Sequence, residues 1–580
     1  MTPEETRQKT KEYLVQLYGP QVAETIATRL YELLDTFKNR LPKRQITPPD
    51  QRDAFLITYG DQVQTNGQTP LKTLLSFCHD YFKDILSGIH ILPFYPYTSD
   101  DGFSVADYRQ VDPALGSWQD IQEIACKFRL MVDAVINHCS VQNPWFQGYL
   151  QRNPRYQDYF IAISPEMDLS KVVRPRALPL LTPFTSANGD RLFLWTTFSN
   201  DQVDLNYQNP EVLLDIVAIL LDYVAHGAQW IRLDAIAYLW KEAGTPCIHL
   251  PQTHWVIQLF RAIFNETAPY VHLVTETNVP HHENVSYLGD GTNEAQLVYN
   301  FALPPLVLYA IHQQDARALT TWAAGLRLPS PDVTFFNFLA SHDGIGVNPA
   351  RGILTEAEIE NLAKLAEQLG GRVSYKNNPD GTQSVYELNI NYFDALGDPE
   401  GRLSQDLHIR RFMVAQSILL ALQGIPGIYV HSLLGSRGWL EGVVQTGQKR
   451  TINRQKFQDA QIRAEIADPA SRRSQIYQAH QRLLKARASS PAFHPAGGQK
   501  ILDLGSQTFA ILRSSPQGTE QVLCLHNLTP RSVVLQFSHL GWDAKTSLCD
   551  LIQSDQITLR SDFTLELQPY QVQWLAIDRK

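Results

Sequence analysis

Cysteine is scarce in this chain. Cys78, Cys126, Cys139, Cys247, Cys524 and Cys549 are scattered and form no CxxC pair, so neither a zinc site nor a disulfide framework is implied. Reduced thiols in a cytoplasmic protein are the simplest account. Long apolar runs are missing too, and none approaches the length that spans a bilayer. Met1 to Glu12 is polar and charged, without the apolar core of a signal peptide. These gaps predict a soluble protein that stays inside the cell. Positive charge is not in excess: 50 Lys and Arg against 59 Asp and Glu give a formal net charge of −9. That argues against nucleic acid or an anionic membrane as the main partner, while an anionic small molecule needs only a few local cations. No candidate strand is followed by a glycine-rich dinucleotide turn.

What is present is ample core. With 44% hydrophobic and 19% charged residues the chain is globular, and 580 residues allow two or three domains. Residues 1–50 carry Tyr13, Leu14, Leu17, Val22, Ile26, Leu30 and Leu33 at helical intervals, predicting an N-terminal helical extension. Short apolar runs then alternate with longer amphipathic stretches. The runs are 54–59, 88–94, 130–137, one that ends at Asp234, 271–276, 296–301, 333–340 and 427–430. Eight such runs predict an α/β fold, a closed (β/α)8 TIM barrel over 51–489, with a doubly wound open sheet as the alternative. Two connections are too long to be simple loops. They predict an inserted small domain at 139–205, after the third strand, and an acceptor-side excursion at 345–395, after the seventh. From 490 to 580, alternating runs at 509–512, 521–526, 532–537 and 571–577 predict an antiparallel β domain.

Polar residues cluster where barrel strands run out. Arg232 lies two positions before Asp234, on the same side of its strand, and can hold that carboxylate ionised. Alone, the pair is as compatible with a structural ion pair as with catalysis. Asp133 through Asn137 and His138, then Glu276, then His342 with Asp343, occupy the ends of three further strands. Carboxylates gathered at the carboxyl end of one barrel suit glycosyl transfer through an oxocarbenium-like transition state.

Asp133-Ala134-Val135-Ile136-Asn137-His138, Arg232-Leu233-Asp234, Glu276 and Ser341-His342-Asp343 resemble, in order and spacing, the four signature regions of glycoside hydrolase family 13, the α-amylase superfamily. The resemblance implies Asp234 as nucleophile, Glu276 as acid/base and Asp343 as transition-state stabiliser. His138, Arg232 and His342 would surround the glucosyl ring. Asp100-Asp101-Gly102-Phe103, Tyr238 with the following 241–245 segment, Asp343 to Val347, and Asn453-Arg454 are similar to the sucrose phosphorylase subfamily. There Asp100 and Arg454 would clamp the distal hydroxyls, with Phe103, Phe198 and Tyr238 completing the sugar pocket. Phe103 as plain core and Arg454 as a surface ion pair are the alternatives. Arg174-Pro175-Arg176 resembles that subfamily's Arg-Pro-Arg, which implies Arg176 as a phosphate or acceptor ligand.

The chain also departs from the sucrose pattern. Asn278 stands where sucrose phosphorylases usually carry His, and Arg372, Ser374, Tyr375 and Lys376 come after Gly370-Gly371 in the second excursion. Two cations and two hydroxyls there suit an anionic acceptor such as glycerate. Together with the extension and the Asp-Asp-Gly-Phe motif, they resemble the glucosylglycerate phosphorylases. The expected activity is a retaining phosphorolysis of 2-O-α-D-glucosylglycerate to α-D-glucose 1-phosphate. Sucrose or glucosylglycerol phosphorylase, an α-glucoside hydrolase and an inactive binding protein are the alternatives. Inorganic phosphate would be co-substrate with no cofactor and no metal; the calcium that many amylases bind near Asn137 is not expected. Partners would be the small glucoside and phosphate, and a homodimer is allowed but not implied.

Overall fold

In the computed structural model, which describes residues 3–176, 178–378, 381–537, 547–557 and 564–578, each of the eight expected runs holds a short strand. They are β1 (Phe55–Thr58), β2 (Gly88–Ile91), β3 (Arg129–Ala134), β4 (Ala228–Leu233), β5 (His272–Thr275), β6 (Leu297–Tyr299), β7 (Thr334–Asn337) and β8 (Ile425–Tyr429). All pair in parallel with their neighbours, and β8 pairs back onto β1, closing a barrel and excluding the open-sheet alternative. Such strands are apolar on both faces because helices cover the outside and side chains fill the inside. The barrel floor mixes large rings with glycine. Phe55 packs 4.5 Å from Trp230, ring centre to ring centre. Phe55 lies in register with both Gly88 and Gly427. A Cβ on Gly88 would meet the Phe55 ring at 2.3 Å, and one on Gly427 would meet Phe336 at 2.3 Å. The absent methyls are what let those rings enter the floor.

The N-terminal extension forms two helices, α1 (Pro3–Tyr18) and α2 (Pro20–Phe37). They lie on the barrel's outer helices Pro210–Ala225 and Pro251–Thr267, tied by Arg7 to Glu266 at 2.7 Å, by Arg29 to Glu211 and by the Tyr18 hydroxyl to the Tyr207 carbonyl. Pro210–Ala225 is buried almost throughout for this reason: barrel on one side, α2 on the other. The helical expectation for residues 1–50 stops short at Phe37, because Pro42, Pro48 and Pro49 remove backbone donors from the remainder of that stretch. Within α2, Leu34 rather than Leu33 is fully buried and Val22 faces out.

After β3, strand His138–Ser140 pairs antiparallel with Gln202–Asp204 and closes the base of a segment holding the hairpin Leu181–Thr185/Arg191–Trp195. After β7, Ile345–Gly346, Arg372–Asn377 and Gln383–Asn389 form a three-stranded antiparallel sheet packed by helix Glu356–Gln368. The C-terminal region has a six-stranded antiparallel sheet and the pair Val533–Gln536/Thr564–Leu567. Among the described residues no helix is long and apolar enough to cross a membrane.

Candidate active site

Strand register builds the centre of the site. Leu233 of β4 lies opposite Thr275 of β5, so the next residues, Asp234 and Glu276, leave the barrel side by side. The ladder continues one step past the strands: the Asp234 N–H donates to the Ala134 carbonyl at 3.2 Å, and the Glu276 N–H to that of Leu233 at 3.1 Å. Ala235 then takes a left-handed conformation, φ 48°, which costs an L residue roughly 1–2 kcal/mol. The turn aims its N–H at the acid/base candidate, donating to Glu276 Oε2 at 2.9 Å.

Beneath these carboxyls lies Arg232, in register with Asp133 of β3 and buried. Its guanidinium bonds Asp133, reaches Asp234 Oδ1 at 2.9 Å and stands 3.9 Å from Glu276 Oε2. His90 Nε2 lies 2.7 Å from the other Asp133 oxygen. Burial raises the proton affinity of Asp234 and Glu276, and in both Arg232 opposes the rise. Two facing carboxyls titrate as a pair. Arg232 stands nearer Asp234 than Glu276, the side of the pair on which a retaining reaction would need the negative charge.

Past β7 the chain delivers His342 and Asp343. The His342 ring stacks on Phe103, 4.6 Å apart and within 8° of parallel. Burial holds its pKa down to about 3, so it is a neutral donor or acceptor. Burial alone would raise Asp343, but Arg450, His342, Arg454 and Arg232 together hold it well below the usual carboxylate range. Asp343 is therefore a fixed anion facing the pair.

On the distal side, Asp100 and Asp101 sit in successive left-handed positions, φ 53° and 47°, before Gly102. Arg454 is anchored by its Nε–H to the His342 carbonyl at 2.9 Å, and its Nη1 reaches Asp101 Oδ2 at 2.6 Å but Asp100 Oδ1 only at 3.8 Å. Asp100 and Arg454 were expected to clamp the sugar together; Asp100 lines the site, while the guanidinium of Arg454 lies closer to the exposed Asp101. Asp100 instead takes a hydrogen bond from Arg176 Nη2 at 3.3 Å. Burial raises Asp100, yet Arg176, Arg450 and Arg454 outweigh it and leave its pKa lowered.

Asp100, Phe103, His138, Arg176, Phe198, Asp234, Glu276, Asn278, His342 and Asp343 line one small cavity of about 70 Å³. His138 Nε2 lies 2.9 Å from the Phe103 carbonyl, and the Asn278 Oδ1 is buried without a hydrogen-bond partner. Tyr238 does not line this cavity; it stands behind Phe198, edge to face at 5.5 Å. Above the cavity opens a vestibule of about 740 Å³ that shares Asp100, Arg176, Tyr386, Glu387 and Arg450 with it.

The acceptor-side expectation is only half met in position. Ser374 and Tyr375 line the vestibule, whereas Arg372 and Lys376 do not. Strand alternation would have put Arg372, Ser374 and Lys376 on one face. The register shift beside Ser374 and Tyr375 skips Tyr386, so the extra residue lies in the partner strand and not in this one. Arg372 folds back onto the Gly370 and Gly371 carbonyls, and Lys376 bonds Asn348 Oδ1 at 3.1 Å. Arg450 and Glu387 take the place these residues were expected to fill. Arg450 precedes Arg454 by four residues in the turn Lys449–Asn453, a spacing that could have singled it out.

Asn137 is engaged by the chain itself. Lys241 Nζ, 4% exposed, donates to Asn137 Oδ1 and to Asp204 Oδ2, both at 2.7 Å. An ammonium thus supplies the positive charge at the base of the inserted segment. Among the described residues no group of three or more His, Cys, Asp or Glu is placed to hold a metal ion.

Residues 78–343 match the α-amylase catalytic domain. Across 98% of its length the chain is 49% identical to the glucosylglycerate phosphorylase of Spirochaeta thermophila, 98% of which is covered. It is 46% identical, over 98% of its length, to the glucosylglycerate phosphorylase of Escherichia coli, covering 100% of that protein. The solved structure of sucrose 6F-phosphate phosphorylase from Thermoanaerobacter thermosaccharolyticum matches with a TM-score of 0.71 at 26% identity, over 82% of this chain and 94% of that one.

Proposed function

Since the chain belongs to the α-amylase family, beside its glucosylglycerate phosphorylases, we infer that it is a retaining disaccharide phosphorylase acting on 2-O-α-D-glucosylglycerate. The observation that carries the chemistry is the meeting of Asp234, Glu276 and Asp343 in one small cavity whose outer wall bears Arg176 and Arg450. Asp234 attacks the anomeric carbon while Glu276 protonates the glycosidic oxygen, releasing glycerate and leaving a β-glucosyl ester on Asp234. Phosphate enters where glycerate left and attacks the anomeric carbon from the opposite face. The ester bond breaks, Glu276 takes up a proton as base, and α-D-glucose 1-phosphate forms. Asp343, fixed as an anion, faces the positive charge that develops on the ring at each transition state. The stacked His342 and Phe103 form an apolar wall that limits water on one side of the sugar.

On this reading inorganic phosphate is the co-substrate, no organic cofactor takes part, and the protein works in the cytoplasm. The test is to supply phosphate with 2-O-α-glucosylglycerate, sucrose or glucosylglycerol and to measure glucose 1-phosphate and free glucose. The expected result is fastest turnover of glucosylglycerate to glucose 1-phosphate. Faster use of sucrose would overturn the donor assignment, and free glucose at saturating phosphate would overturn the phosphorylase reading.

A further inference from the structure

An anionic acceptor and phosphate must be received in turn beside a cluster of carboxylates, so the mouth needs a cation with N–H groups that face the open space. Most are enclosed or turned away. Arg232 is enclosed by Asp133, Asp234 and Glu276. Arg454 is buried on Asp101 and the His342 carbonyl. Lys449 donates to the Val373 carbonyl at 2.7 Å, and Arg372 and Lys376 are turned to their own surroundings. Arg176 and Arg450 remain, and both line the cavity and the vestibule.

Arg450 has the more developed setting. Its Nε–H and Nη2–H donate to the two oxygens of Glu387 at 3.0 and 2.6 Å. Glu387 is buried and is itself fixed by the Gly344 N–H at 2.9 Å. A two-point clamp of this kind sets the guanidinium plane. Arg450 Nη1 then reaches Asp343 Oδ1 at 2.6 Å. A guanidinium has five N–H groups; Glu387 takes two by hydrogen bonds, while Asp343 Oδ1 meets Nη1 as an ion pair without hydrogen-bond geometry, so the Nη1 donors are left for a further acceptor among the described contacts.

We propose that Arg450, held in orientation by Glu387, is the specificity-determining anion receptor of the acceptor side, binding the glycerate carboxylate in the first half-reaction and phosphate in the second. This deepens the phosphorylase reading and rests on it. The two anions use the same N–H fork in succession, so an anion occupies it before glycerate leaves and again once phosphate arrives. Glu387 sets the direction of the fork, and Asp343 is released to the sugar once an anion takes its place on Nη1.

The test compares anionic with neutral acceptors in one enzyme. α-Glucosyl fluoride, a neutral donor, loads Asp234 without glycerate, and transfer is then measured to phosphate, glycerate, glycerol and water. In Arg450→Gln, kcat/KM for phosphate and for glycerate is expected to fall about a hundredfold more than for glycerol, the size of a lost charge-assisted contact. Arg450→Lys keeps the charge but not the fork and is expected to regain part of the anion preference, with KM for phosphate still raised. Equal losses for anionic and neutral acceptors would overturn the proposal and leave Arg450 as a support for Asp343. If Arg450→Gln does not fold, Arg450→Lys decides alone: an unchanged ratio of phosphate to glycerol transfer overturns the proposal. Wild-type enzyme that transfers glucose to water and glycerol but never to phosphate would overturn the phosphorylase reading itself, a result distinct from either outcome in the variants.

Discussion

Arg232→Met tests whether one buried cation sets which carboxyl is nucleophile and which is acid. Methionine roughly keeps the stem and removes the charge from a group 3% exposed and bonded to Asp133 and Asp234. Opposite charges with centres about 4 Å apart, at an effective dielectric of about 20, attract by roughly 4 kcal/mol. That is about three pH units of proton affinity. Burial already raises Asp234, and without the cation its proton affinity rises further. Less of the enzyme then carries an ionised nucleophile at neutral pH, so kcat/KM should fall by up to about a thousandfold. The loss should shrink about tenfold per unit as the pH rises from about 6 to 8, until Glu276 in turn loses its proton. The assay is glucose 1-phosphate release across pH, with circular dichroism and a thermal melt at each point. His90, 2.7 Å from Asp133, still hydrogen-bonds that carboxylate, so the variant should fold with a lowered melting temperature. A profile parallel to wild type, lower by one factor at every pH, would refute the electrostatic assignment.

Other perturbations separate the remaining roles. Asp234→Ala should abolish turnover on every donor while the far-ultraviolet circular dichroism stays that of the wild type. Glu276→Gln should slow glucosylglycerate by about a thousandfold or more, yet slow transfer from α-glucosyl fluoride to phosphate by about tenfold or less, because fluoride needs no proton to leave and phosphate is already an anion; equal losses would remove Glu276 from the acid role. Acid should destabilise the fold through His342, whose pKa of about 3 lies below its value of about 6.5 in an unfolded chain. Between those two values the unfolded chain binds a proton that the fold refuses, so stability should drop as pH falls through that window and level off below it. Thermal melts from pH 7 down to pH 3 for wild type and His342→Asn check this: the variant should show the shallower dependence.

The sequence made the barrel legible because buried parallel strands are short, apolar and evenly interrupted, and because Asp133, Arg232 and Glu276 interrupt that pattern with charge at or just past a strand end. The antiparallel region was less legible. Strands Gly498–Leu502, Ser547–Asp550, Asp555–Ile557 and Thr564–Leu567 escaped notice, being short and partly exposed and so lacking a clean alternation. The acceptor wall was misread at Arg372 and Lys376 for a different reason: alternation gives a face, but not the nearby acceptors these long side chains turn to, the Gly370 and Gly371 carbonyls and Asn348. Glu387 sits far along the chain from both Asp343 and Arg450, and only the closed excursion brings the three together.

Lys241 gives the inserted segment a fastening of an unusual kind. A bound ion is a dissociable component: it leaves when its free concentration drops, and it answers to chelators. An ammonium carried on the polypeptide is present once per molecule from synthesis onward, at a stoichiometry no medium can alter. Melting in excess EDTA is therefore expected to coincide with melting in plain buffer. The wall that carries Arg176 would keep its seat whatever the mineral content of the surroundings.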